Sequence, residues 1–372
     1  MEVIVIFTYG ISLKDWFESG IQDREMLLYK NLEKIYNVKF TFITFGDSTD
    51  YSYFSGFEKS EILPFYTFTK RSKFKLVNFI KSLYFPFLVK KYFKNYNLIK
   101  TNQLSGAWIG IILKKLCNIP LIVRTGYNIY EFKVKENKSP MIVLFYKLLT
   151  KLSLSNSDLY IVTSNKDKLF IEKQNSKNKT IEVIPNWVSK ISQNNFEDRH
   201  DKKILCVGRL ESQKNFFTLL QNLKSTDFEI DIVGEGSEKR NLQELASIEN
   251  IKVNFLGSLD HKALLNLYKN YKVFVTSSIY EGNPKTVLEA LAGGCCVIAT
   301  DIESHNEIIK DKINGFLFND FTYLKSTIES VLFNKNVFNE ISSHGYETIK
   351  NNHLIEVIQQ KEIEIYQKLI KY

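Results

Sequence analysis

Ser277-Ser278-Ile279-Tyr280-Glu281-Gly282-Asn283-Pro284-Lys285-Thr286-Val287-Leu288-Glu289-Ala290-Leu291-Ala292-Gly293-Gly294 follows a short valine-rich run and leads into an alanine- and leucine-rich one. The first run, 272–276, reads as a buried strand, and the second predicts a helix over 284–293. Pro284 suits a first helical turn, where a missing N–H costs least. The amides of Asn283, Lys285 and Thr286 would then open into a cleft at the strand's end, where a helix N-terminus favours an anion. Glu281 stands just before the helix and Glu289 about one turn past Lys285, so the two carboxylates can reach different parts of one extended ligand. The other reading is a helix with acidic residues near its start and a packing pair at Gly293-Gly294. Spacing alone leaves both open.

Working outward, the same punctuation recurs. Val207-Gly208-Arg209-Leu210-Glu211-Ser212-Gln213-Lys214-Asn215 ends a strand at Gly208 and opens a helix at Lys214. Arg209 and Lys214 can hold a diphosphate, one as a planar fork and the other as a point charge, or they can be two solvated cations. Gly234 and Gly236 end the next strand, and Gly257-Ser258-Leu259 the one after. Strands are expected at 203–207, 228–233, 252–256, 272–276, 296–299 and 316–318. Helices are expected at 214–223, 237–246, 260–269, 284–293, 305–310 and 321–332. The first half has a matching rhythm, with strands at 2–7, 38–44, 97–101, 120–124, 158–163 and 181–184 and helices at 20–36, 73–95, 106–117 and 140–154. Such alternation implies parallel sheets covered on both faces. Two doubly wound halves of an α/β fold, 1–187 and 188–350, meet at Ile184-Pro185-Asn186-Trp187-Val188 and the polar stretch after it. The tail, 351–372, reads as a helix that returns to the first half.

A chain of 372 residues exceeds one ordinary core, in keeping with two domains. The opening Val3-Ile4-Val5-Ile6-Phe7 reads as a first strand rather than a leader, and the apolar runs are shorter than a membrane span. Cys117, Cys206, Cys295 and Cys296 sit in apolar contexts and are expected to be reduced core thiols of a cytoplasmic protein. The net charge of +9 is unevenly placed: twelve Lys or Arg and no Asp or Glu occur between Ile62 and Tyr130. That block favours an anionic partner, and no nucleic-acid motif accompanies it, so nucleic acid is not expected. Segment 71–96 mixes lysines with Phe and Tyr. The first domain is expected to dock on an anionic membrane surface through 70–94, on the cytoplasmic face; the plainer reading of 71–96 is a helix pair kinked at Pro86 with a core face of Leu76, Ile80, Leu83 and Phe87.

In order and spacing, these segments resemble glycosyltransferase family 4, a retaining family with the GT-B fold of two Rossmann-like domains facing each other across a cleft. The likeness is strong over about 180–320 and loose before it. Glu281 and Glu289 match the family's paired glutamates, E-x7-E. The resemblance implies that Glu289 binds the donor's ribose, that Glu281 lies by the donor sugar, and that Arg209 and Lys214 neutralise the diphosphate. It implies that Gly282, Asn283, Lys285 and Thr286 line the donor site, and that Gly234, Gly236, Gly257 and Leu259 belong to the region that holds the base. The implied reaction is metal-independent, hexosyl-type transfer from a nucleotide diphosphate sugar to a glycan or lipid-linked acceptor in bacterial surface polysaccharide synthesis, with no cofactor. No Asp-x-Asp metal motif stands in a suitable loop.

The sequence departs from the family at Pro284, where many members have a donor-capable residue. It also lacks a glycine-rich first loop and a histidine in the first half. Gly10, Asp15, Arg24, Gln103, Arg124, Thr125 and Tyr127 are the candidates for acceptor-side work, set against their simpler roles as caps and turns. A sugar-nucleotide epimerase of the same fold and a non-catalytic partner subunit at the membrane remain alternatives.

Overall fold

The computed structural model describes residues 1–173, 179–192 and 194–370. The last two residues of the expected tail helix, and residue 193 of the polar stretch, lie outside the described residues. The chain forms two compact units, one of Met1–Pro185 with Gln359–Tyr372 and one of Asn186–Ile358.

The first unit is built on β1 Glu2–Ile6, β2 Lys39–Thr44, β3 Glu61–Pro64, β4 Leu98–Thr101, β5 Leu121–Arg124, β6 Leu159–Val162 and β7 Thr180–Val183. They lie in the order β3-β2-β1-β4-β5-β6-β7, every neighbouring pair parallel. The second unit uses β8 His200–Val207, β9 Glu229–Val233, β10 Val253–Gly257, β11 Tyr271–Thr276, β12 Cys296–Thr300 and β13 Phe316–Phe318. Their order is β10-β9-β8-β11-β12-β13, again all parallel. Successive side chains of a strand point to opposite faces. Ile204 and Cys206 of β8 accordingly join one buried cluster, and Leu205 and Val207 join another. Both faces of this sheet are covered, which is why its strands read as unbroken apolar runs. In each unit the strand order turns back on itself, between β1 and β4 and between β8 and β11. Open parallel sheets bind ligands at the carboxyl ends of the strands flanking such a reversal.

Several elements differ from the sequence reading. β3 was not expected: it has four residues, ends in Pro64, and lies at the sheet's edge, where a missing N–H leaves no ladder bond unmade. The helix Lys335–Asn352 was also unexpected. Its buried face includes Phe338, Ile341, Gly345 and Ile349, a thin apolar stripe with a glycine inside it. A Cβ on Gly345 would come within 2.9 Å of Leu291 Cδ2, so the glycine permits close helix packing. The helix expected at 305–310 is a single turn, Glu303–Asn306. It stops where the Asn314 side chain takes over the backbone, accepting from Lys310 N at 2.7 Å and donating to Ile308 O at 3.0 Å. Of the cysteines, Cys206, Cys295 and Cys296 are buried as expected, whereas Cys117 is only half-buried; all four are unpaired.

The plainer of the two readings of the helix Lys75–Val89 does not hold. Its buried side chains are Asn78, Ser82, Phe85, Pro86 and Val89. Leu76, Ile80 and Phe87, which that reading placed in a core face, are exposed at 69%, 56% and 47%. Polar partners explain the inversion: Asn78 holds Ser72 at both its N–H and its carbonyl, and Ser82 accepts the Trp108 indole N–H at 2.9 Å.

The tail helix Ile355–Ile370 contributes a buried charge to the first unit. Lys100, in the middle of the sheet, meets both carboxylate oxygens of Glu362 at 2.8 Å and the Tyr366 hydroxyl at 3.1 Å. Both charged side chains are 1% exposed. Removing one partner of such a pair strands the other charge in the interior, whereas replacing both by apolar groups does not. Glu362→Leu is therefore expected to destabilise the first unit by about 3–5 kcal/mol. The double change Lys100→Met with Glu362→Leu should recover most of that loss, read by urea unfolding.

Candidate functional site

At the carboxyl ends of β8 and β11, two loops are stitched together. After Val207 the chain passes Gly208 and Arg209, makes a tight turn at Ser212–Lys214, and enters the helix Phe216–Leu223 through Asn215. Asn215 has φ +54°, a left-handed conformation that asparagine tolerates better than most residues. That turn sets the Lys214 side chain back toward the sheet. From the other loop, Ser277 Oγ donates to Lys214 O at 2.8 Å and Ile279 N to Gln213 O at 2.9 Å. The Gln213 amide donates in return to Tyr280 O at 2.7 Å.

The centre of the arrangement is an ion pair. Lys214 Nζ lies 2.5 Å from Glu281 Oε1, with both side chains close to nine-tenths buried. Ser278 Oγ donates to the same carboxylate oxygen at 2.8 Å. Lys214 is thus not a solvated surface cation. Arg209 is exposed, and its guanidinium makes no hydrogen bond or ion pair with another described residue. One of the two expected cations is pre-positioned and the other is open to solvent.

Glu289 occupies a different setting. It lies on the helix Lys285–Ala292, is 3% exposed, and faces His261 Nε2 at 3.2 Å and the Tyr268 hydroxyl at 3.4 Å. Asn283 is tied to Asn186, whose side-chain amide donates to Asn283 O at 2.8 Å. Lys285 holds its ammonium 5.8 Å from the Trp187 ring centre. Thr286 and Gly282 are half-buried. Pro284 caps this helix without a side-chain hydrogen bond.

The glycines serve close backbone packing. Gly234, at φ +143°, donates its N–H to Gly257 O at 2.8 Å, and a Cβ there would stand 2.0 Å from Gly208 O. A Cβ on Gly236 would stand 2.3 Å from Leu210 O. Gly257 and the partly exposed Leu259 border these turns. In the first unit, Gly10, Gln103, Arg124 and Thr125 follow or end β1, β4 and β5, beside the other reversal of strand order. Gln103 accepts from Gly126 N at 2.8 Å, and Arg124 reaches Asn102 O at 3.4 Å. Thr125 is buried, and Tyr127 packs its ring on Phe132 at 4.6 Å. Asp15 closes a capping box with Ser12, and Arg24 lies 3.3 Å from Glu25.

Ser278, His261, Tyr268 and His305 were not singled out in the sequence. Ser278 stands three residues before Glu281, inside the quoted stretch. His261 and Tyr268 are the first and last residues of one helix, His261–Tyr268, and only the fold brings them to Glu289. His305 is fully buried: its Nδ1 lies 2.7 Å from Thr300 O, and its Nε2 has no partner among the described residues. The Thr300 hydroxyl donates to Ser278 O at 2.7 Å, which links this histidine to the Glu281 support.

Residues 188–348 match the family model described as Glycosyl transferases group 1. Over 136 residues the chain is 31% identical to the GtfA subunit of a UDP-N-acetylglucosamine–peptide N-acetylglucosaminyltransferase of Streptococcus agalactiae. That alignment covers 35% of this chain and 27% of the relative. A UDP-Gal:alpha-D-GlcNAc-diphosphoundecaprenol alpha-1,3-galactosyltransferase of Escherichia coli is 26% identical over 294 residues, 73% of either chain. Sucrose-phosphate synthase of Thermosynechococcus elongatus superposes over 100% of both chains with a TM-score of 0.76 at 20% identity. The fold is α/β of the GT-B type, and the comparisons support a glycosyltransferase.

His305 gives this region a pH signature. Burial depresses its pKa below the ordinary value of 6.5, so the fold holds it neutral. Its contribution is fully present above pH 6.5 and declines as pH falls, because the unfolded chain takes up the proton first. Stability of the second unit should fall between pH 7 and 5, by at most about 1.4 kcal/mol per pH unit from this group. His305→Asn, which can still donate to Thr300 O, should flatten that slope in urea titrations.

Proposed function

We propose that the protein transfers a hexosyl group from a UDP-sugar to a glycan or lipid-linked acceptor, with retention of anomeric configuration, in bacterial surface polysaccharide synthesis on the cytoplasmic side. The observation that carries this reading is the near-buried Lys214–Glu281 pair at the reversal of strand order between β8 and β11, with the exposed Arg209 on the same loop as Lys214. Both relatives named above are named for UDP-sugar donors, which favours UDP here. Retention and family 4 membership rest on the resemblance around Glu281 and Glu289.

In this reading the bond from the sugar's anomeric carbon to the diphosphate oxygen breaks, UDP leaves with its electron pair, a bond from that carbon to an acceptor hydroxyl oxygen forms, and the hydroxyl proton passes to the departing phosphate oxygen. Before that proton arrives, negative charge grows on the leaving group. Arg209 meets that charge from solvent, and Lys214 turns to it from Glu281. Cations that strengthen their hold as charge develops lower the barrier. As Lys214 turns away, Ser278 still holds the Glu281 carboxylate, which remains beside the reacting sugar. Glu289, backed by His261 and Tyr268, is assigned to the donor's ribose. No metal is called on. Gly10, Gln103 and Arg124 of the first unit are assigned to the acceptor.

Turnover of UDP-galactose and UDP-N-acetylglucosamine with lipid-linked saccharide acceptors tests the assignment. Arg209→Ala and Lys214→Ala should each slow transfer tens- to hundreds-fold, a barrier increase of about 2–4 kcal/mol, with unchanged circular dichroism. Near-normal rates in both variants would overturn the diphosphate roles.

A further inference from the structure

We propose that the helices Lys75–Val89 and Pro140–Asn156 form one membrane-docking platform, whose two apolar stripes enter the headgroup boundary of an anionic bilayer. On the first helix, Leu76, Ile80, Tyr84 and Phe87 are exposed at the spacing of one helical face. On the second, Met141, Leu144, Leu148 and Leu152 do the same, with Met141 82% exposed. Both stripes are more apolar than the faces the helices turn inward, which carry Asn78 and Ser82 on one and Thr150 and Ser153 on the other.

The two helices are neighbours. Phe79 of the first and Phe145 of the second stand 6.2 Å apart, and both pack on Trp108, at 5.1 and 6.5 Å. A soluble monomer rarely leaves apolar side chains so concentrated in water. Their surroundings identify the occupant. Lys73, Lys75, Lys90, Lys91 and Lys94 border the first helix, Lys138, Lys147 and Lys151 the second, and all eight are exposed. No Asp or Glu occurs between Ile62 and Tyr130 or between Asn137 and Ser157. Apolar stripes edged by lysines match a surface that is greasy inside and negative outside, and basic residues there gain from anionic lipid. Among the described residues no helix is long and apolar enough to cross a membrane, so the helices lie on the surface.

This platform is wider than the basic segment 71–96 alone: the second helix supplies four of the eight exposed side chains in the two stripes. It deepens the proposed function by bringing the protein to the lipid on which an acceptor would be carried, yet its test needs no catalysis. The purified full chain is floated with phosphatidylcholine vesicles, with and without phosphatidylglycerol, and UDP binding is measured in parallel by calorimetry. The chain should float with the anionic vesicles only, and more weakly as salt rises, because exposed charges are screened over about 10 Å at 0.1 M. Leu76→Glu with Leu148→Glu, both on exposed positions, should cut vesicle binding more than tenfold at low salt, as should Lys90→Glu with Lys91→Glu. UDP affinity should stay unchanged in both, which separates loss of docking from loss of the nucleotide site. If the unmodified chain ignores anionic vesicles at low salt, or the leucine variant floats as well as the parent, the platform does not exist. If the chain instead self-associates through this face, and the leucine variant dissociates it without any flotation of the parent, the face belongs to a second copy and the proposal falls.

Discussion

The contact between Lys214 and Glu281 depends on the strand order of the second unit. The two residues are 67 apart in sequence, and they meet only because β8 and β11 are adjacent while their following loops run to the same edge of the sheet. That constraint explains the features around it. The 3-10 turn and the left-handed Asn215 aim the lysine. Gln213 and Ser277 lock the two loops in register. Ser278 donates to the same carboxylate oxygen that Lys214 meets. A charge pair so nearly buried is costly unless its geometry and remaining hydrogen bonds are satisfied, and here a third group satisfies them. A pair poised in this way can yield its cation to an incoming anion while its acid stays fixed.

The two units use buried charge differently. In the first, Lys100 and Glu362 are wholly enclosed with Tyr366 and have no open side, so they fasten the tail helix to the sheet. In the second, Lys214 pairs with Glu281 on loops that also carry the exposed Arg209. The first pair specifies structure and the second is suited to exchange partners with a ligand. The same contrast holds for the acid before the helix Lys285–Ala292 and the acid within it: Glu281 pairs with Lys214, while Glu289 is backed by His261 and Tyr268.

The alternation of apolar runs made the parallel α/β architecture legible, since strands buried on both faces are apolar throughout. All six strands of the second unit were placed within a few residues. Arg209 and Lys214 were legible because they follow a strand and Gly208, and Glu281 because it lies between a strand and Gly282 at the start of a helix. Their pairing was not, since nothing local to either loop encodes which strands are neighbours. His261 escaped for the same reason, since it reaches Glu289 from another helix; Ser278 and His305 bond groups three and five residues away, but no spacing rule marks a serine or a histidine there for that task. The helix Lys335–Asn352 was hidden by Gly345, whose value lies in packing against Leu291 rather than in helix propensity. The helix Lys75–Val89 was the most ambiguous, because its apolar stripe fits a core face as well as an outward one. Amphipathicity gives a helix two faces without stating which one meets the protein, and Asn78 and Ser82 decide it through partners elsewhere in the fold.

The account stands or falls on a diphosphate being held by Arg209 and Lys214. Calorimetric titration with UDP and with UMP, on the parent chain and on the Arg209→Ala, Lys214→Ala double variant, tests it with catalysis left out. UDP should bind the parent at least tenfold more tightly than UMP, a gap of about 1.4 kcal/mol or more, and the double variant should lose that preference while still binding UMP. Equal affinities of the parent for UDP and UMP, or a preference that survives in the double variant, would contradict the assignment.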